Sequence, residues 1–229
     1  MKHICSRIHM ADLPEIIPVF PLCGALLLPG GRLPLNISEP ANLDMIADVL
    51  ATPGRLIGMI QRKEPHIRRF ENIEENTLSC LYPIGCVGRI SSFAETGDGR
   101  NLITLDGIIR FRIIEEVDDT PYCRCCVSYA EFEKDLQSPE VVRFDRLQLV
   151  TLLKRYFNDN GFAADWETVN ACADEKLVNT LAMICPLGVQ EKQVLLEARD
   201  TGIRGDVLSQ FLQLENSRIS RESPSHDGH

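Results

Sequence analysis

The sequence predicts an α+β fold, in which a small, partly closed β-barrel or sandwich is followed by helices. Two observations lead to this prediction. Short apolar runs separated by proline and glycine turns fill residues 16–129, with a single helical stretch among them. After Pro139 the apolar residues instead recur at helical spacing.

The first strands are marked by prolines. Ile16–Leu22 is extended because its two prolines forbid a helix. Pro29-Gly30-Gly31 is a turn, and Leu33–Ile37 alternates as a second strand. Pro34 cannot donate a hydrogen bond to a sheet ladder, which predicts an edge position or a bulge.

One helix interrupts the strands. Apolar residues recur at helical spacing from Pro40 to Leu50, and Thr52-Pro53-Gly54 ends that helix. Leu56–Ile60 then has the pattern of a buried strand, and the polar residues 61–79 that of a loop.

A hairpin and a final strand complete the β-rich part. Leu81–Phe93 has strand character, and Thr96-Gly97-Asp98-Gly99 supplies a tight turn. In the strand after this turn, Phe111 and its alternate neighbours face one side of the sheet. Tyr122–Tyr129 is predicted as the last strand.

The C-terminal part is predicted to be helical. A long amphipathic helix from Val142 to Phe157 ends at Asn158-Asp159-Asn160-Gly161. Shorter helices are predicted at Val169–Cys172, Glu175–Ile184, Gln190–Glu197 and Ile203–Leu214. The expected division is a flexible lead-in at 1–15, a β-domain at 16–135, a helical subdomain at 136–215 and a disordered tail at 216–229.

Composition limits the class of protein. Hydrophobic residues make up 44% of the 229 residues, enough for a sizeable core. The net charge of -9 disfavours contact with phosphate backbones and anionic membranes. We expect a cytoplasmic protein without a secretory signal or membrane span, whose nine cysteines are reduced and mostly buried.

A set of short segments occurs in order along residues 16–214. They are Ile17–Leu22, Leu28–Gly30, Leu33–Ile37, Glu39-Pro40, Tyr82–Gly88, Asp106–Ile113, Pro121-Tyr122, Gly188–Leu196 and Leu208–Leu214. Together they resemble the first hairpin, the central strands and the closing helices of the Lon protease N-terminal (substrate-binding) domain family. The ordered set, rather than any single segment, gives this resemblance its specificity.

The resemblance implies a PUA-like β-domain joined to a small helical bundle, here as a free-standing copy. In Lon this region helps to recognise unfolded or tagged proteins, and related domains occur alone or in substrate receptors such as cereblon. The chain lacks the G-x-x-x-x-G-K-[ST] loop that binds ATP, and it has no room for a Ser-Lys peptidase domain. We therefore expect no enzyme activity, no catalytic residue and no cofactor.

Cys123, Cys125 and Cys126 are the most concentrated metal-ligand residue types. A tetrahedral zinc site needs four ligands, usually from two closely spaced pairs. A strand directs Cys126 away from the other two side chains, and the sequence contains no second pair. We expect a packed strand and no metal site.

The histidines and carboxylates suggest no catalytic centre. His3, His9, His226 and His229 lie near chain ends expected to be flexible, and His66 lies in a polar loop. A Cys–His dyad needs a base fixed beside a thiolate, so we expect none.

Three pairs of neighbouring carboxylates and one glycine turn have simpler explanations than catalysis. Glu74-Glu75, Glu115-Glu116 and Asp118-Asp119 are expected to be solvated surface charges rather than acid–base pairs. Gly97-Asp98-Gly99 joins two strands, so a hairpin explains it better than a phosphate loop.

Arg68-Arg69 and the pair Arg110 and Arg112 are the basic concentrations. PUA-like folds include RNA-binding proteins, so RNA binding is the alternative function. Acidic neighbours and an aromatic content of 6% argue against it, because stacking platforms need exposed rings beside positive charge.

The leading hypothesis is a non-catalytic protein- or peptide-binding module in protein quality control or proteolysis. Its expected partners are unfolded or partly exposed polypeptides and a separate protease or chaperone, with neither nucleic acid nor membrane. Proline-broken strands leave edges for an extended peptide, although the sequence assigns no peptide-binding residues. A small hydrolase is a third hypothesis, for which no catalytic constellation is found.

A further set of residues is predicted to have architectural roles. Prolines and glycines fix turns and bulges, while phenylalanines fill the core. The set comprises Pro18, Phe20, Pro21, Pro29, Gly30, Pro34, Pro83, Gly85 and Phe111.

Overall fold

A computed structural model describes residues 8–63, 77–97, 99–117, 121–137 and 143–222 of the chain. The backbone divides into two compact units. The β-rich unit comprises Met1–Ser138 and Pro186–Leu196, and the helical unit comprises Pro139–Cys185 and Glu197–His229. The division into a β-domain at 16–135 and a helical subdomain at 136–215 stays a prediction.

Six strands in the described residues form one mixed sheet, in agreement with the α+β prediction. They are β1 Ile16–Leu22, β2 Arg32–Ile37, β3 Leu56–Gln61, β4 Ile84–Glu95, β5 Asn101–Glu116 and β6 Arg124–Ser128. Their order is β2-β5-β4-β3-β1-β6, and β6 also pairs with β5. The pair β1 and β3 is parallel, whereas β1–β6, β2–β5, β3–β4, β4–β5 and β5–β6 are antiparallel.

Local turn chemistry sets several element limits. Pro34 lies opposite Thr104 in the outer strand β2, so its predicted edge position is confirmed. Helix α1, Pro40–Ala51, begins at the predicted proline. Gly30 has φ +72°, a conformation that favours glycine, and its backbone N donates to Gly107 O at 2.9 Å.

The core of the β-rich unit is built around Phe111. Its side chain is fully buried, and Phe20 is also buried, which confirms their predicted core positions. The ring lies so close to Gly58 and Gly85 that a Cβ at either glycine would approach it within 3.0 Å. At Gly85 the same Cβ would also lie 2.4 Å from the carbonyl oxygen of Met59. Close packing around this ring therefore requires glycine at both positions.

Helix α5, Val189–Glu197, supplies the segment that returns to the β-rich unit. Gln193 Nε2 donates to Ile84 O at 3.2 Å, and Gln61 Nε2 donates to Gln193 Oε1 at 3.1 Å. Lys192 Nζ donates to Gly24 O at 2.7 Å. These buried polar contacts fasten α5 to the sheet, because breaking them would leave buried groups without partners.

The helical unit consists of α2 Arg146–Asp159, α3 Trp166–Ala171, α4 Asp174–Ile184 and α6 Thr201–Glu222. Helix α6 contacts both α2 and α4. Asp145 caps α2 by accepting a hydrogen bond from Gln148 N, and Arg204 Nη1 donates to Asn179 Oδ1 at 2.7 Å. Among the described residues, no helix combines the length and apolar character needed to cross a membrane.

Four segments differ from their sequence description. Residues 8–15, expected to be a flexible lead-in, include a short 3-10 helix at Met10–Asp12. Ala130–Leu136, for which no element was predicted, forms another 3-10 helix, and Thr77–Cys80 forms a third within the expected loop. Helix α6 continues past Leu214 to Glu222. Within this extension Asn216 is buried, and its Nδ2 donates to Leu152 O at 3.0 Å.

Candidate functional site

A cleft of about 380 Å³ opens in the β-rich unit beside the first half of β1. The start of β1, the end of α1 with its connection to β3, and the start of β6 form its walls. Its lining residues are Asp12, Pro14, Ile16, Ile17, Pro18, Asp48, Val49, Thr52, Gly54, Leu56, Tyr122 and Arg124.

Strand β1 is an inner strand beside this cleft, with β3 on one side and β6 on the other. Val19 N donates to Cys123 O at 2.9 Å, so the backbone polar groups of Val19 face β6. These groups alternate sides along a strand, and those of Pro18 therefore face β3. The parallel register of Val19 with Gly58 places the Pro18 carbonyl in this ladder. A ligand in the cleft therefore meets mainly side chains rather than a free strand edge.

Apolar side chains form the floor of the cleft. Ile17, Val49 and Leu56 are buried there, whereas Ile16 remains 42% exposed at the wall. An exposed branched side chain above a buried apolar floor can be covered by an apolar ligand group, with a gain in free energy proportional to the area removed from water.

The rim of the cleft is polar and mostly acidic. Tyr122 donates its phenolic O–H to Asp48 Oδ2 at 2.8 Å, joining α1 to the segment before β6. Asp12 also lines the cleft and accepts a hydrogen bond from His9 N. Arg124 is the basic side chain of the lining. Two carboxylates therefore accompany one guanidinium.

The C-terminal end of α1 adds to this negative character. Thr52 donates both its backbone N and its Oγ1 to the carbonyl oxygen of Val49, at 3.0 and 2.7 Å. No basic residue lies in the last turn of the helix. A helix C-terminus carries a partial negative charge, so the cleft end formed by Val49 and Thr52 favours a cation.

The cysteine group forms part of the packed sheet. Cys123 Sγ and Cys125 Sγ lie 3.8 Å apart, which confirms that these side chains share a face. A hydrogen bond with Cys123 and burial raise the pKa of Cys125, so its thiol stays protonated. Across the described parts of the chain, no group of three or more His, Cys, Asp or Glu side chains has the arrangement of a metal site.

The other polar candidates remain apart from one another or fall outside the described residues. His9 is exposed. Glu115 and Glu116 lie on β5 opposite Cys126 and Cys125 of β6, in a strand rather than a loop. His3, His66, His226, His229, Glu74-Glu75, Asp98, Asp118-Asp119 and Arg68-Arg69 lie outside the described residues.

The predicted basic pair Arg110 and Arg112 is neutralised by carboxylates. Arg110 is buried and forms an ion pair with Asp135 at 2.8 Å. Arg112 forms a more exposed pair with Glu131, whose pKa the guanidinium lowers through their hydrogen bond. This part of β5 therefore presents no uncompensated basic surface for the alternative of RNA binding.

The cleft residues were not identified from the sequence. Asp48 and Tyr122 are 74 positions apart, and their pairing follows from the sheet order rather than from any local pattern. The available signal was the proline-broken first strand, which favoured an open edge, whereas the structure places β1 between β3 and β6.

Comparisons with known proteins agree with the fold. Residues 16–213 match the family model of the ATP-dependent protease La (LON) substrate-binding domain. The chain is 26% identical over 208 residues to Lon protease 2 of Myxococcus xanthus, and 28% identical over 200 residues to the Lon protease of Syntrophus aciditrophicus. These alignments cover 90% and 82% of the chain, but only 24% of each relative.

Two solved structures share the architecture. The crystal structure of a Lon N-terminal domain protein from Xanthomonas campestris aligns with a TM-score of 0.58 at 23% identity, covering 86% of this chain and 97% of that one. The N-terminal domain of the Mycobacterium avium complex Lon protease gives 0.59 at 18% identity, covering 87% and 98%. With the family match across most of its length, the chain belongs to the LON substrate-binding domain family.

Proposed function

We propose that this chain binds extended segments of other polypeptides, without catalysis, in the cleft beside β1. The observation that supports this most directly is the apolar floor of the cleft, with the exposed Ile16 at its wall. Hydrophobic grooves are a common means by which proteins hold peptide segments. Membership of a substrate-binding family agrees with such a role.

Strand β1 is paired with a neighbour on each side, so binding depends on side chains more than on backbone. Covering Ile16 and the floor supplies most of the free energy of binding. That contribution suits weak, reversible capture of unfolded or partly exposed polypeptides.

We also propose the fold of each unit and the cellular role of the chain. The β-rich unit would be a PUA-like, partly closed barrel, supported by the pairing of β6 with both β1 and β5. Helices α2, α4 and α6 would form a small bundle, supported by the contacts of α6 with the other two. The module would act in cytoplasmic protein quality control or proteolysis, together with a separate protease or chaperone.

The test is fluorescence anisotropy with a labelled, unstructured peptide of about ten residues rich in Val, Ile and Thr. Replacing Ile16→Ser should weaken binding about tenfold, because part of the apolar contact is lost. Ile114→Ser is the matched control, since Ile114 is also an exposed isoleucine in a strand of the sheet but lies outside the cleft.

The control should bind like the unaltered chain. Equal weakening by both substitutions would remove the cleft from the proposal. Absence of saturable binding by the unaltered chain would reject polypeptide binding itself.

A further inference from the structure

We infer that the cleft selects extended segments carrying a Lys or Arg side chain within two residues of a branched apolar residue. This inference rests on the proposed function and specifies its substrate class. It follows from the charges around the cleft, which are separate from the apolar floor.

The carboxylate of Asp48 is held in place at the rim of the cleft by a hydrogen bond. The hydroxyl of Tyr122 donates to one carboxylate oxygen, Oδ2, at 2.8 Å. A single neutral hydrogen bond restrains the carboxylate without neutralising its charge. A restrained anion beside an apolar floor loses less side-chain entropy when it meets a cation than a mobile surface carboxylate does.

The charged groups that line the cleft are negative in sum. Asp12 and Asp48 both line the cleft, whereas Arg124 is the basic residue of its lining. The α1 C-terminus also lies in the lining at Val49 and Thr52, and its last turn contains no basic residue. The helix end and both carboxylates act in the same direction and favour a positive charge on the ligand.

The geometry of an extended peptide sets the spacing between its apolar and basic side chains. An extended peptide lying in the cleft directs alternate side chains to the same face. One apolar side chain can then cover the floor beside Ile16 while a Lys or Arg two residues away reaches the acidic rim. Long basic side chains suit this position, because their methylene stems pack on apolar surface while the charge stays in water.

The net charge of the chain reinforces this selectivity. At -9 it repels acidic segments before contact and attracts basic ones. That contribution is general rather than local, so the experiment must separate it from the charge of the cleft.

The experiment uses three labelled peptides of equal length that differ only in a central Lys, Gln or Glu, placed two residues after a Val and two residues before an Ile. Against the full chain, the Lys peptide should bind about threefold more tightly than the Gln peptide, and the Glu peptide correspondingly more weakly. Asp48→Asn should remove most of the Lys preference and leave Gln binding unchanged. Asp44→Asn is the control, because Asp44 is exposed on the same helix but outside the cleft.

The outcomes separate the two proposals. Equal affinity for all three peptides, with Ile16→Ser still weakening each, would overturn the charge preference and leave the proposed function intact. A Lys preference lost equally in Asp44→Asn and Asp48→Asn would reflect net charge and would also overturn the inference. Binding of none of the peptides would reject polypeptide binding in the cleft. In about 1 M salt the Lys preference should disappear, whereas the Gln peptide should still bind.

Discussion

Arg110 and Asp135 form a two-point ion pair inside the β-rich unit. Arg110 Nε donates to Asp135 Oδ2 at 2.9 Å, and Nη2 donates to Oδ1 at 2.8 Å. Both side chains are at most 9% exposed. Nη1 of the same guanidinium donates to Leu196 O, so one side chain joins β5, the 3-10 helix Ala130–Leu136 and helix α5.

Breaking this pair should strongly destabilise the β-rich unit. Arg110→Ala leaves the Asp135 carboxylate buried without its cation, which should lower the free energy of unfolding by about 3–5 kcal/mol. The double variant Arg110→Met with Asp135→Leu should lose less, because neither side then holds an isolated charge. Unfolding in urea, followed by circular dichroism, measures each change.

The neighbouring pair supplies the control. Arg112 lies two residues further along β5, and its pair with Glu131 is much more exposed. Arg112→Ala should therefore cost far less than Arg110→Ala. Similar losses in the two single variants would show that burial does not govern the importance of these pairs.

Gly58 and Gly85 should respond differently to substitution, although both lie against Phe111. A Cβ at Gly58 would meet side-chain atoms, at 2.8 Å from Ile17 Cδ1 and 2.9 Å from Phe111 Cζ. A Cβ at Gly85 would meet the carbonyl oxygen of Met59. Gly58→Ala should cost about 1–3 kcal/mol, and Gly85→Ala more, because backbone cannot move aside as a side chain can.

A second substitution distinguishes the two cases. Phe111→Leu makes room beside both glycines but leaves the Met59 carbonyl in place. In a double-mutant cycle it should offset part of the loss from Gly58→Ala and much less of the loss from Gly85→Ala. Equal rescue of both, measured by urea unfolding, would contradict the packing around Phe111.

Tyr129 should make stability depend on pH in the alkaline range. Its O–H donates to Pro14 O at 2.8 Å, and burial raises its pKa above the ordinary value of about 10. A group whose pKa is higher in the folded state stabilises the fold below its unfolded pKa. That contribution is lost as pH rises through the folded pKa.

The comparison with Tyr129→Phe isolates this effect. Below about pH 10 the unaltered chain should be more stable by roughly 0.5–1.5 kcal/mol, because the substitution removes a hydrogen bond. The difference should shrink as the pH rises further, and urea unfolding at a series of pH values measures it. A difference that grows with pH would give the wrong sign and exclude this role for Tyr129.

Local chemistry predicted much of the fold. Pro34 at an edge, Pro40 at a helix start and the hairpin before β5 follow from backbone restrictions within a few residues. Arg110 was counted with Arg112 among the basic concentrations, and its burial was not predicted, because alternation along β5 assigns it to a face without showing what covers that face. The cover comes from Asp135 and from α5, which are distant in sequence.

The candidate site was less accessible from the sequence for the same reason. Ile16 and Pro18 were recognised as part of a proline-broken strand, but the residues opposite them were not. Asp48 and Tyr122 reach the cleft from different elements, and no pattern within either segment marks them as neighbours. Side chains brought together only by the sheet order leave no periodic signal.

The return of α5 to the sheet determines when the β-rich unit can finish folding during synthesis. The side chain of Gln61 is buried against Gln193, 132 positions later. All six strands leave the ribosome before that partner exists, together with the helices α2, α3 and α4. The β-rich unit therefore cannot complete its buried polar network until those helices have been translated, and a nascent chain stalled before Val189 would expose the site that α5 covers.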